Sequence, residues 1–192
     1  NQAISITNEN GHTTKYAYNT YGNPTKISYP DQTKERLIYY PCGWLKEKIQ
    51  ADQTSIFYRY DAKGHLIEET FKDEQGNLLK TEKYHYKGPL LQYKTDAMGL
   101  KTRYEYDGAG RKIKETIGHL KTIHYRYDDF DQLIEKREED RVETQEYDLI
   151  GQVIGKEVHE NGILVSKEAY TYDIQGNPTT KTVWQSNGKK IP

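Results

Sequence analysis

A tyrosine four residues ahead of a glycine recurs along the 192 residues at a nearly constant period. The anchors are Tyr18, Tyr39, Tyr60, Tyr106, Tyr147 and Tyr172, with glycines Gly22, Gly43, Gly64, Gly110, Gly151 and Gly176. Tyr127 fits with Asp131 in the glycine place, and Tyr86 fits with two residues deleted. Successive anchors lie 21, 21, 26, 20, 21, 20 and 25 residues apart. A period of this kind marks a repeat array in which each copy packs on its neighbours.

Each copy reads as strand, turn, strand, turn. A second tyrosine stands two residues before six anchors: Tyr16, Tyr58, Tyr84, Tyr104, Tyr125 and Tyr170. That spacing puts both rings on one face of a strand. The residue between them is Ala17, Arg59, His85, Glu105, Arg126 or Thr171, so the opposite face should be wetter. Asn19, Asp61, Asp107, Asp128, Asp148 and Asp173 follow their anchors. Their short side chains bond to backbone two residues on, and the glycine supplies positive φ. Asp131 is tolerable there because Asp enters the left-handed region more readily than most residues. A second strand follows, as in HLIEETF (65–71), and a second turn closes the unit. Asp31, Asp52, Asp73 and Asp140, each 13 residues past an anchor, mark that turn. Other copies place Asn10-Gly11, Met98-Gly99, Gly118-His119, Asn161-Gly162 or Asn187-Gly188 near it. The expected fold is all-β: one array over residues 1–192, about sixteen short strands in an antiparallel hairpin meander, forming a curved strip or open arc.

Composition agrees with a thin structure. Leu, Ile, Val and Phe together make up just under a fifth of the chain, too few for a deep aliphatic core. Eighteen tyrosines supply apolar area with a polar tip, which suits half-wet surfaces. A net charge of −1 makes no overall electrostatic case for nucleic acid or membrane binding. No apolar run reaches the roughly 18 residues that cross a bilayer. One cysteine, Cys42, excludes an internal disulfide framework. The first residues read as the interior of a domain, without a signal peptide.

The unit YxYDxxG[NR], with a second turn of the D-x-x-G kind, resembles the YD-repeat, or RHS-repeat, family. KYHY, RYEYDGAGR, HYRYDDFDQ and AYTYDIQGN carry the resemblance, which runs from about Thr13 to Lys189. Family members include polymorphic toxins, insecticidal toxin complexes and teneurins. The resemblance implies a β-strip that spirals into a hollow shell, enclosing a C-terminal toxic segment in the toxins and serving adhesion in teneurins. It also implies a secreted or cell-surface protein. The Asp-Pro-x-Gly cleavage motif of complete toxin shells is missing, and eight repeats are too few to close a shell. The chain therefore reads as an interior stretch of a longer protein, whose partners are the rest of that shell and its cargo polypeptide.

No residue pattern points to catalysis, a cofactor or a metal. The histidines His12, His65, His85, His119, His124 and His159 show no metal spacing. Asp128, Asp129 and Asp131 fall where every other copy has its turn, and lack the distal glutamate of a calcium loop. Cys42 has no activating neighbour in sequence. The recurrence of tyrosine in every copy favours a packing ladder over a sugar platform. Trp44 and Trp184 break the repeat and are the better ligand-contact candidates, with packing the favoured reading of both. A carbohydrate- or surface-binding module, or an adhesion module working through a sheet edge, is the alternative to a shell. Choline-binding repeats share a period near 20 but are far richer in tryptophan.

Overall fold

The computed structural model describes residues 4–185 and 190–191. Asn187-Gly188 therefore lies outside the described residues. The chain divides into two compact units, Asn1–Leu100 and Lys101–Pro192. The first holds β1 (Ser5–Thr7), β2 (Thr13–Tyr18), β3 (Pro24–Ser28), β4 (Lys34–Tyr39), β5 (Leu45–Ile49), β6 (Ser55–Tyr60), β7 (Leu66–Lys72), β8 (Leu78–Lys87) and β9 (Leu90–Thr95). The second holds β10 (Lys101–Tyr106), β11 (Lys112–Ile117), β12 (Lys121–Tyr127), β13 (Leu133–Glu138), β14 (Arg141–Tyr147), β15 (Val153–Glu160), β16 (Ile163–Tyr172), β17 (Pro178–Gln185) and β18 (Lys190–Ile191). Within each unit every strand pairs antiparallel with the next, so each is an all-β meander. The eighteen strands exceed the expected sixteen because a further hairpin strand precedes the first anchor and another follows the last.

Among the described residues twelve turns share one backbone hydrogen-bond pattern, and nine of them are opened by an Asn or Asp: Asn8, Asn19, Asp61, Asp73, Asp96, Asp107, Asp128, Asp148 and Asp173. At Asp107, the backbone N–H donates to Arg111 C=O at 3.0 Å, and Gly110 N–H donates to Asp107 C=O at 3.0 Å. The carboxylate Oδ1 accepts from Ala109 N–H and Arg111 N–H, both at 3.0 Å. One short side chain thus satisfies two donors the turn would otherwise leave open. The fourth loop residue has φ near +85°, at Gly110 as at Gly176, and Asp131 takes φ 65° in the same place.

The second turns are more varied than their shared spacing implies. Asp73 opens a turn of the same kind as the anchor turns. Asp31 and Asp52 instead occupy the third position, each accepting from the N–H and hydroxyl of Thr33 or Thr54. Gln32 and Gln53 then take the positive φ, at 71° and 69°. Asp140 belongs to a two-residue hairpin between Glu138 and Arg141. Tyr40, not an Asp, opens the turn after Tyr39, donating its N–H to Trp44 C=O at 2.8 Å.

All eight anchors follow a β-bulge, a feature the sequence did not announce. The register slips between Arg126 and Tyr127, and in the same way between Ala17 and Tyr18 and between Thr171 and Tyr172. A bulge sharpens local twist and turns the strand end toward its loop.

The tyrosine face carries what core there is. In the first unit it includes Ile27, Leu37, Ile56 and Phe71 beside the rings; in the second, Thr102 and Ile123. Thr102 and Ile123, 6% and 7% exposed, are the only buried side chains among the described residues. All six residues between paired tyrosines are exposed. The accessible surface is 13365 Å², against about 9,500 Å² for a compact monomer of this mass.

The turn carboxylates generate a pH prediction. The side chain of Arg111 holds Asp107 below the usual carboxylate range, and that of Asn177 does the same for Asp173. A depressed folded pKa contributes stability that is complete above the unfolded value of about 3.9 and is lost as pH falls through the folded value. The melting temperature should therefore drop as pH falls below about 4. The double variant Asp107→Asn/Asp173→Asn should show a shallower drop in thermal scans by circular dichroism.

Candidate functional site: the tyrosine ladder and the turn column

The anchor tyrosines do more than fill space. Tyr39 Oη donates to Pro24 C=O at 2.8 Å, Tyr127 to Lys112 C=O at 3.0 Å, Tyr147 to Leu133 C=O at 2.9 Å and Tyr172 to Val153 C=O at 2.7 Å. Each acceptor is the residue paired with the preceding anchor: Pro24 with Tyr18, Lys112 with Tyr106, Leu133 with Tyr127, Val153 with Tyr147. An anchor therefore ties its own repeat to the bulged strand end of the one before. The remaining anchors occupy the equivalent positions after their bulges, with Tyr60 edge-on to Tyr40 and Tyr86 stacked on His65.

Three of the second tyrosines meet acidic side chains of their own strand or the preceding one. Tyr84 Oη donates to Glu69 Oε2 at 2.5 Å and contacts Glu82 Oε2 at 3.3 Å. Glu69 and Glu82 oppose each other directly in the β7–β8 register, so the hydroxyl separates two carboxylates that would otherwise repel. Burial first, then the Glu69 hydrogen bond, push the Tyr84 hydroxyl well above the ordinary tyrosine range. It stays a donor at any physiological pH. Tyr125 donates to Glu115, and Lys112 Nζ sits 2.7 Å from Glu115 and 4.4 Å from the Tyr125 ring centre. Tyr170 donates to Glu168. These groups are saturated with one another, as a packing ladder requires.

A second column runs along the anchor turns. It is built by the residue after each turn glycine. Asn23 Nδ2 would lie 4.0 Å from a Cβ placed on Gly43, and Trp44 lies against Gly64, with its ring 5.3 Å from that of Tyr60. His65 stacks on Tyr86 at 4.8 Å while bonding Asp61 Oδ2 at 2.8 Å. Arg111 covers the Tyr127 ring at 5.1 Å, donates to Asp128 C=O at 3.1 Å and meets Asp131 Oδ1 at 2.6 Å. Gln132 and Gln152 lie over Gly151 and Gly176. The side chain after one glycine thus seals the next repeat's turn. Sequence reading noted Asn or Arg at this position but assigned it no role; the signal was its recurrence one residue past every glycine.

Of the two tryptophans singled out as ligand contacts, Trp44 is a column member, 38% exposed and in contact with Tyr60. Trp184 sits on β17 opposite Lys167. Cys42 is exposed at a turn tip. Among the described residues no group of His, Cys, Asp or Glu side chains could hold a metal ion. In the second unit Phe130, Leu149 and Ile150 project from the turn tips into an open groove of about 760 Å³.

Two predictions follow from this geometry. Tyr127→Phe removes one buried-end hydrogen bond and should destabilise the fold by about 0.5–1.5 kcal/mol in urea titration. Gly64→Ala and Gly76→Ala both place a side chain at φ above +80°, but only at Gly64 would the Cβ meet a ring, at 2.8 Å from Trp44 Cζ2. Gly64→Ala should be the more destabilising, and Trp44→Ala in the same chain should remove most of the excess.

The RHS Repeat family model matches residues 1–34 and 84–117. No curated protein matches the chain in sequence. Among solved structures, the chain is similar to TcdB2-TccC3-Cdc42, with a TM-score of 0.72 at 14% identity over 94% of this chain and 12% of that one. TcdB2-TccC3 without its hypervariable C-terminal region gives a TM-score of 0.72 at 14% identity, over 92% of this chain and 12% of that one. The likeness is one of fold, and this chain spans about an eighth of the length of those it matches. The two segments that match the RHS Repeat model carry the same strand–turn unit that recurs between and after them.

Proposed function

We propose that this chain is a non-catalytic stretch of wall in a longer repeat shell, which holds a cargo polypeptide away from solvent and proteases. The observation that carries the reading is the stapling of successive repeats within each unit. Anchor hydroxyls bond to backbone of the previous repeat, and post-glycine side chains seal the next turn. Contacts of this kind make a continuous surface out of units that have no core of their own. The eight repeats are read as a single array within it, working as geometry rather than chemistry.

The fold match supports a shell, since a TcdB2-TccC3 chain carries the same fold over about an eighth of its length. That one such structure includes Cdc42 and another lacks a hypervariable C-terminal region fits a wall with exchangeable contents. A secreted or surface-exposed parent accords with the reading. The glycan alternative is less well supported, because packing against Gly64 and Tyr60 gives Trp44 a structural role.

The test is limited proteolysis of the longer protein that carries this segment. The polypeptide following the repeats should survive protease while the repeats are folded, and be digested once denaturant opens them. Digestion as fast as that of the same polypeptide in isolation would sink the encapsulation reading.

A further inference from the structure

On the face of the sheet opposite the tyrosines, charged residues that directly oppose one another mostly carry opposite signs. Glu105 opposes Lys114, Arg126 opposes Glu135, Arg59 opposes Glu68, and Glu157 opposes Lys167, each directly in register. All four are ion pairs, at 2.9, 2.9, 3.8 and 2.7 Å. Strands β2 to β4 break this rule. Lys26 opposes Arg36 directly, and Lys15 and Lys34 flank the two sides of Ser28. All four cations are exposed, and none has an ion-pair partner among the described residues. Of the nearby carboxylates, Glu35 points to the other face, 3.0 Å from Lys48, and Glu47 lies on this face at its far end, opposite Ile38.

Like charges directly opposite each other destabilise a sheet. Among the described registers the other such pair is Glu69 and Glu82, and Tyr84 bridges it. Nothing bridges Lys26 and Arg36. The four cations span about 7 Å along the strands and about 10 Å across them. Lys26, Lys34 and Arg36 line a shallow groove with Ile49 and Gln53. Along β4 the sequence on this face is Lys34, Arg36, Ile38, at alternate positions and all exposed.

We propose that this patch is a docking site for an extended acidic polypeptide segment of the pattern acidic–x–acidic–x–apolar. An extended peptide presents alternate side chains on one face every 6.4–6.8 Å or so, the same repeat as the strand beneath it. Two carboxylates would meet Lys34 and Arg36, with Lys15 and Lys26 alongside, and an apolar side chain would rest on Ile38. Arg36 offers a two-pronged donor matched to carboxylate. No aromatic side chain stands among these cations to stack a base, so single-stranded nucleic acid fits less well. The site is independent of whether the parent is a shell.

The probe is a fluorescein-labelled eight-residue peptide with glutamates at alternate positions followed by leucine, titrated against the 192-residue chain by fluorescence anisotropy. Binding should appear at low ionic strength and weaken as salt rises. Lys26→Gln/Arg36→Gln should weaken it about tenfold or more, and Lys167→Gln should leave it unchanged. Lys26→Glu should abolish binding while raising the melting temperature by about 1–3 °C, because it replaces repulsion with a cross-strand pair. That rise separates a lost site from a lost fold. The proposal is overturned if the peptide does not bind at low salt, or if the double variant binds equally well. Tighter binding of a heparin oligosaccharide, oligothymidylate or phosphatidylserine-containing vesicles would also overturn it.

Discussion

The hydrogen bond from an anchor tyrosine to a carbonyl of the preceding repeat is the interaction on which the rest depends. A sheet with so little buried side chain gains little from an interior. Its cohesion must come from contacts between neighbours, and those contacts must recur. Tyrosine suits the task because its ring covers the strand beside it while its hydroxyl reaches past that strand to backbone. The bulge before each anchor shapes this geometry, turning the strand end toward the loop as the chain enters it. A phenylalanine would cover the same area and leave the carbonyl to water.

The turn and the ladder are one device. Asp107 closes its loop through two backbone donors, and its other carboxylate oxygen holds Arg111 at 2.7 Å. Arg111 in turn lies over Tyr127 and reaches Asp128 and Asp131, the opening and fourth residues of the next loop. A local turn signal thereby becomes a repeat-to-repeat contact. The glycine at the fourth loop position serves twice. It accepts a left-handed backbone, and at Gly64 it leaves room for the Trp44 ring.

Charge is distributed by the same logic of neighbours. Cross-strand ion pairs on the face opposite the tyrosines are largely exposed, so each adds little stability. Their regularity matters more as a background against which departures stand out. Lys26 opposite Arg36 is such a departure. A structural role explains the complementary pairs at Arg126 and Glu135 or Glu157 and Lys167 but gives no reason for this one.

Much of this molecule was legible from spacing alone. Tyrosines two apart specify a face, Asp or Asn followed three residues later by glycine specifies a loop, and the period specifies an array, because each is a local backbone constraint. Spacing did not distinguish the Asp31, Asp73 and Asp140 turns, since one residue type at one offset can open a loop, cap its third position or sit in a two-residue hairpin. Nor could it place the bulges or the carbonyl acceptors of the anchor hydroxyls, which depend on the register between strands. Trp44 stood out because it broke the pattern, but spacing could not name what it packs on; the tertiary structure seats it against the next repeat's glycine. The alternation of residues by itself determined an all-β hairpin array with a tyrosine face. Only the pairing of strands decided which side chains meet, because partners in a meander are set by register across the sheet rather than by distance along the chain.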